Sequence, residues 1–166
     1  MPNGHVTHAE RNGIHVLRYF GKVDYMAAPA IQRFLDDLLE HERVSGLVFD
    51  LTSAEGLDST NLGLLARVND RVHDAAGAGS MIVSRSEDIN DVLRSMGLDR
   101  IFEIVTDEPA PLHDCCAKES IDVDRPPSES ELRHTMLEAH RALVDLSDAG
   151  REQFHDVVAC LEKSQG

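Results

Sequence analysis

An α/β fold is predicted: a sheet with helices packed against it, followed by a helical hairpin. Three observations predict it. Short β-forming runs alternate with longer stretches of helical periodicity between residues 14 and 105. After about residue 118 the chain turns polar and carries Pro126 and Pro127, the texture of a linker. Two amphipathic segments then follow, each with apolar residues recurring at helical spacing.

IHVLRYF at 14–20 is rich in β-formers, and GKVD at 21–24 breaks the run. The next segment, to about residue 42, places Pro29 near its start, where a helix tolerates it. Ile31, Phe34, Leu35 and Leu38 make its apolar stripe. VSGLVFDL at 44–51 is a near-continuous apolar strand of the kind that helices cover. TSAEGLD at 52–58 reads as a loop or a very short strand. From Ser59 a second helix carries Leu62, Leu65, Val68 and Val72 on one side, and GAG at 77–79 ends it.

SMIVS at 80–84 supplies a third strand core. Ser86 suits the cap of a third helix, with acids in its first turn that complement the helix dipole. Gly97 stops that helix, and DRIFEIV at 99–105 offers a last strand. In the tail, Ser128 and Glu131 form a capping-box pattern ahead of Leu132, Met136, Leu137, Leu143 and Val144. A break at Ser147–Asp148 precedes Phe154, Val157, Val158 and Leu161. Two such short helices bury little by themselves, so they must dock, on their own domain or else on another molecule.

Composition narrows the function. Of 166 residues, 42% are hydrophobic, 28% charged and only 4% aromatic, with no Trp, so the core is aliphatic. No apolar run approaches the roughly 20 residues that cross a bilayer. MPNGHVTHAERNG at the amino end has no apolar h-region, and a cytoplasmic location is expected. Cys115, Cys116 and Cys160 are an odd set with two adjacent members, which suits reduced thiols rather than a disulfide framework. A formal net charge of -14 and a pI of about 4.9 set the chain against phosphate backbones and anionic membranes. Such a surface steers a basic protein toward it, or serves solubility alone.

The informative segment is LVFDLTSAEGLDSTNLGLL, residues 47–65. Asp58, Ser59, Thr60, Asn61, Leu62 and Gly63 lie between an apolar strand and an amphipathic helix. A hydroxyl at such a junction sits among free backbone N–H groups at the positive end of the helix dipole. A phosphate on Ser59 would be held well there. Read without further context, Ser59 is more simply an N-cap.

DSTNLG resembles the D-S-[ST]-G-L-G signature of STAS domains in bacterial anti-sigma factor antagonists. The resemblance runs over roughly residues 5–117 and takes in the G-x-[IV]-D turn (Gly21 to Asp24), the following Ala28-Pro29 and GLDRIFEI at 97–104. It implies a STAS-like mixed β-sheet with helices packed mainly on one face. The expected organisation is a STAS domain over 1–117, a linker over 118–128 and a C-terminal helical extension over 129–166.

The resemblance also implies that Ser59 is phosphorylated by an anti-sigma factor acting as kinase or by a dedicated kinase. Thr60 is the alternative acceptor. Asp24 is similar to an acid that positions the hydroxyl or contacts the partner, though it could merely end a turn. Asn61 stands where the family usually has Gly, and Lys22 where it often has Glu, which suggests a subgroup with its own partner.

Unmodified, the surface around Ser59 and the exposed part of its helix would dock on an anti-sigma factor and free a sigma factor. Phosphate would add about -1.5 to -2 charges beside Asp24 and Asp58 and oppose that docking. A phosphatase, alone or housed in a response regulator, would reset the switch. A signalling adaptor acting on a response regulator or second-messenger enzyme is the alternative, and a monomer or weak dimer is expected.

Catalysis is not expected. Ser59 lacks a G-x-S-x-G elbow and no histidine is placed by sequence to serve it. GAGS at 77–80 is too short for a phosphate loop and follows a helix. Nine histidines invite a metal, but His134 and Glu138 share a helical face from which His140 is rotated away, and no H-E-x-x-H or paired C-x-x-C occurs. His113 beside Cys115 and Cys116 offers only opportunistic binding, so no cofactor is called for.

Overall fold

A computed structural model describes residues 4–76, 80–109, 112 and 119–164. One six-stranded mixed sheet carries the fold, in the order β5-β4-β3-β2-β1-β6. Strands β1 (Gly4–Arg11) and β2 (Ile14–Val23) form an antiparallel hairpin. Helix α1 (Ala28–His41) leads to β3 (Gly46–Leu57), parallel to β2. Helix α2 (Ser59–Ala76) precedes β4 (Met81–Val83), and α3 (Glu87–Ser95) with a 3-10 turn (Leu98–Arg100) precedes β5 (Glu103–Val105). Both β4 and β5 continue the parallel set. β6 (Glu119–Ile121) closes the far edge against β1, and α4 (Glu129–Leu146) and α5 (Asp148–Ser164) form the predicted hairpin.

Four features depart from the reading of the sequence. β1 was not expected. Its turn is Asn12-Gly13, with φ of 53° and 83°, the positive values a two-residue hairpin loop needs. β6 falls in the segment read as a linker, where only three residues pair with β1. The GKVD stretch, read as a break, and TSAEGLD, read as a loop or a very short strand, extend β2 to Val23 and β3 to Leu57: Phe20, Gly21, Lys22 and Val23 pair with Ser53, Ala54, Gly56 and Leu57 across two register shifts. DRIFEIV divides, its first part forming the 3-10 turn that Gly97 opens at φ 82°.

The main core lies on one face of the sheet, where Leu17, Tyr19, Leu47, Phe49 and Leu51 meet the helices. Alternate residues Val16, Val48 and Val83 join Ala9 and Leu112 in a small second cluster behind. α1 buries Ile31, Leu35 and Leu38 as its periodicity predicts. α2 is different. Leu62, Leu64, Leu65, Ala66, Val68, Asn69 and Val72 are all buried, so the first half of the helix is enclosed, while Asp70, His73 and Asp74 near its end are exposed.

The enclosure comes from the hairpin, which docks on its own domain. α4 turns Thr135, Leu137, Ala139, His140 and Leu143 inward, a stripe shifted from the expected one. Leu143 and Phe154 join the main core. Arg33 of α1 pairs with Glu131, and Ser147 Oγ donates to Met96 O (3.2 Å), pinning both ends of α4.

Candidate functional site

The long strands β2 and β3 carry the chain to one corner of the sheet, because Val23 pairs with Leu57 only two residues before α2 begins. There Asp58, not Ser59, caps the helix. Its Oδ1 accepts from Asn61 N (3.0 Å), and its carbonyl accepts the first intrahelical bond, from Leu62 N (3.1 Å). Ser59 is therefore the first helical residue, half-buried, with its hydroxyl released from capping.

That hydroxyl meets a residue 81 positions away. Ser59 Oγ lies 2.9 Å from His140 Nε2. The other ring nitrogen, His140 Nδ1, is 2.6 Å from Met136 O. A carbonyl only accepts, so Nδ1 carries a proton, and in the neutral ring Nε2 accepts from the serine. His140 is 3% exposed and packs edge-on against Phe154. No histidine was expected to serve Ser59. Periodicity alone could not reveal it, since the contact depends on how α4 docks. A polar residue on the buried stripe of α4 was the available signal.

The other predicted residues take distinct places. Asn61 Nδ2 donates both to Asp58 Oδ1 (3.0 Å) and to Val23 O (3.2 Å), stitching the end of β2 to the start of α2. That is how Asn serves at a position where Gly is usual. Asp24 Oδ1 accepts from Met26 N (3.0 Å) and orders its own turn, while Lys22 is exposed. Thr60, Asn61 and Leu62 are no more than 3% exposed, so they support the site from beneath rather than presenting it. The burial of Thr60 also keeps its hydroxyl from solvent. Gly63 is buried too: a Cβ there would lie 2.1 Å from Ala139 O, so the two main chains touch.

Near the start of α2 the surface mixes apolar side chains with the acids Asp24, Asp58, Glu55 and Asp88. Tyr25 and Met26 are 44% and 39% exposed. Leu57, Leu62, Ile89 and Val92 line a shallow groove of about 160 Å³ beside the helix start. No acidic residue occupies the first turn of α2.

A second polar cluster includes Arg18, Asp50 and Glu108. Arg18 grips Glu108 with Nη2 (2.8 and 3.0 Å) and lies 3.4 Å from Asp50. Desolvation, then the neighbouring Asp50, push the Glu108 carboxyl above its usual range. Among the nine histidines, buried His8 and His15 bond to one another at 2.9 Å. Among the described residues no three ligating side chains come together. His113, Cys115 and Cys116 lie outside the described residues. No described helix is long and apolar enough to cross a membrane.

Comparison with known proteins agrees with this architecture. A STAS domain family model matches residues 5–110. The anti-sigma-F factor antagonist RsfB of Mycobacterium tuberculosis is 29% identical over 99 residues, covering 60% of this chain and 79% of the relative. The crystal structure of an anti-sigma factor antagonist from Mycobacterium paratuberculosis superposes with a TM-score of 0.57 at 23% identity, over 64% of this chain and 90% of its own. The anti-sigma factor antagonist SpoIIAA in its unphosphorylated form gives 0.54 at 21% identity, over 63% and 91%. These two structures share the fold. Helices α4 and α5 lie beyond the residues that the family model matches.

Proposed function

The chain belongs to the STAS domain family, and from that premise we propose that it is a cytoplasmic anti-sigma factor antagonist whose docking is controlled by phosphate on Ser59. One observation carries the reading: at the start of α2, Asp58 does the capping, so the Ser59 hydroxyl is not committed to the helix end and bonds instead across the interface, to His140. Its relatives' names supply the partner class. Exposed Tyr25 and Met26, and the groove lined by Leu57, Leu62, Ile89 and Val92, supply apolar surface on which a protein can sit.

Phosphate on Ser59 would bring about -1.5 to -2 charges next to Asp58. At a docking face this adds repulsion and desolvation, and refolding is not required. A serine kinase writes the mark and a phosphatase removes it. The role is regulatory: the ring nitrogen of His140 remote from Ser59 is held by a main-chain carbonyl rather than by the carboxylate that orients a hydrolytic histidine. The hairpin over α2 favours a second reading, a signalling adaptor whose Ser59 phosphate controls another target such as a response regulator or second-messenger enzyme.

The test is capture of an anti-sigma factor by full-length Ser59→Ala and Ser59→Asp proteins. We expect the first to retain it and the second to lose about a hundredfold in affinity, a change of roughly 3 kcal/mol. Equal binding by both would remove Ser59 from the switch. Incubation with the kinase should give a phosphate-sized mass increase that Ser59→Ala abolishes. A phosphorylated Ser59 with no anti-sigma factor bound to either form would select the adaptor reading.

A further inference from the structure

The hairpin covers the face of α2 that carries Gly63 and reaches the Ser59 hydroxyl beside the apolar groove. Gly63 and Ala139 bring the two backbones into contact, a close approach that any side chain at 63 forbids. The ring of His140 then reaches the Ser59 hydroxyl. Outside this stripe the hairpin is held mainly at the two ends of α4, by Arg33–Glu131 and by Ser147 on Met96 O. α5 buries only Gly150 and Phe154, and residues 124–126 of the connector are exposed. The hairpin can therefore lift while the sheet stays paired.

We propose that α4 is a built-in occupant of a helix-docking face on α2, latched by the His140–Ser59 hydrogen bond, and that the partner's own helix competes for the same place. The occupant's chemistry follows from the groove: a helix with a small residue opposite Gly63 and a hydrogen-bond acceptor facing Ser59, as α4 presents Ala139 and His140. The 2.9 Å between Oγ and Nε2 holds a proton and nothing larger. The His140 ring is fixed by Met136 O and Phe154, so it cannot retreat without its helix. A phosphate does not fit that gap: it wedges α4 away, or turns outward and leaves the Nε2 of the neutral ring without its donor. Phosphate thus rejects both occupants, the helix in cis and the helix in trans. In the unmodified state the hairpin sets the affinity a partner must exceed. The phosphate and partner parts rest on the reading of Ser59 above; the cis contact does not.

The experiment is hydrogen exchange on the full chain, comparing wild type, His140→Ala, Gly63→Ala and a form carrying genetically encoded phosphoserine at 59. Loss of the latch should speed exchange across residues 129–146 about tenfold, the worth of one buried hydrogen bond. Residues 14–23 and 46–57 should keep their protection. Gly63→Ala should show the larger effect, and if it unfolds globally His140→Ala carries the comparison. The anti-sigma factor retained by Ser59→Ala should also bind His140→Ala about tenfold tighter than wild type. Undiminished protection of 129–146 in the phosphoserine form, or equal binding by His140→Ala and wild type, overturns the latch. Absence of anti-sigma factor binding by every form would instead overturn the functional reading, with the exchange result still standing.

Discussion

Two helices of this protein open with a serine at the strand-to-helix junction, and the two serines do opposite things. Ser86 caps α3: its hydroxyl accepts from Ile89 N (3.3 Å), and Glu87 and Asp88 fill the first turn. Ser59 begins α2 one position later in the helical frame, because Asp58 has taken the cap. Its first turn carries no acid, and its hydroxyl faces a histidine from another helix. An added phosphate on Ser86 would lose a cap and meet two carboxylates. At Ser59 no cap is lost. A one-residue offset in who caps the helix is enough to separate a serine tied to its own helix end from one whose hydroxyl bonds another helix.

The largest break in this comparison is Asp58→Ala. It removes the cap and the acceptor of the Asn61 side chain together, and should cost about 2 kcal/mol in urea unfolding, with Asp58→Asn close to wild type. If Asp58→Ala is neutral, Ser59 rotates to cap in its place. The hydroxyl would then be a reserve cap rather than a group that serves only the His140 contact.

Ser59→Ala and Ser86→Ala should each cost about 1 kcal/mol, by different routes. Exchange should quicken in α3 for Ser86→Ala, as the first turn frays. For Ser59→Ala it should quicken in α4, across the interface, while the start of α2 stays protected by Asp58. Fraying of α2 in Ser59→Ala would erase the distinction between the two serines.

Much of the fold was legible because its signals are local. Pro29, the stripe of Ile31, Leu35 and Leu38, the Ser86 and Ser128 caps and the stop at Gly97 all lie where patterning places them. What escaped depends on partners distant in sequence. β6 is strand only because three residues find the edge of β1, and TSAEGLD is strand only because β2 extends beside it. The Asn12-Gly13 turn was a local signal for β1 that composition-level reading of the amino end passed over. At the site, the DSTNLG motif marked Ser59, yet position alone could not choose between Asp58 and Ser59 as cap. His140 became a neighbour of Ser59 through docking of the hairpin, which no spacing within α4 encodes.

The third serine cap sharpens the comparison with the smallest effect. Ser128 Oγ accepts from Glu131 N (3.1 Å) at the exposed start of α4. Ser128→Ala should cost about 0.5 to 1 kcal/mol, since water replaces part of what the hydroxyl gave. It acts on the same helix as the latch, about three turns from His140, and Glu131, one turn on, is also held by Arg33. Exchange should therefore rise over 129–132 and stay low around residue 140. Confinement of the effect to that first turn means α4 frays from its end while the Ser59 contact holds, so the latch is a separate element of stability. Spread of the effect through 140 means the hairpin opens as one unit, and any weakening of it, wherever placed, would uncover Ser59.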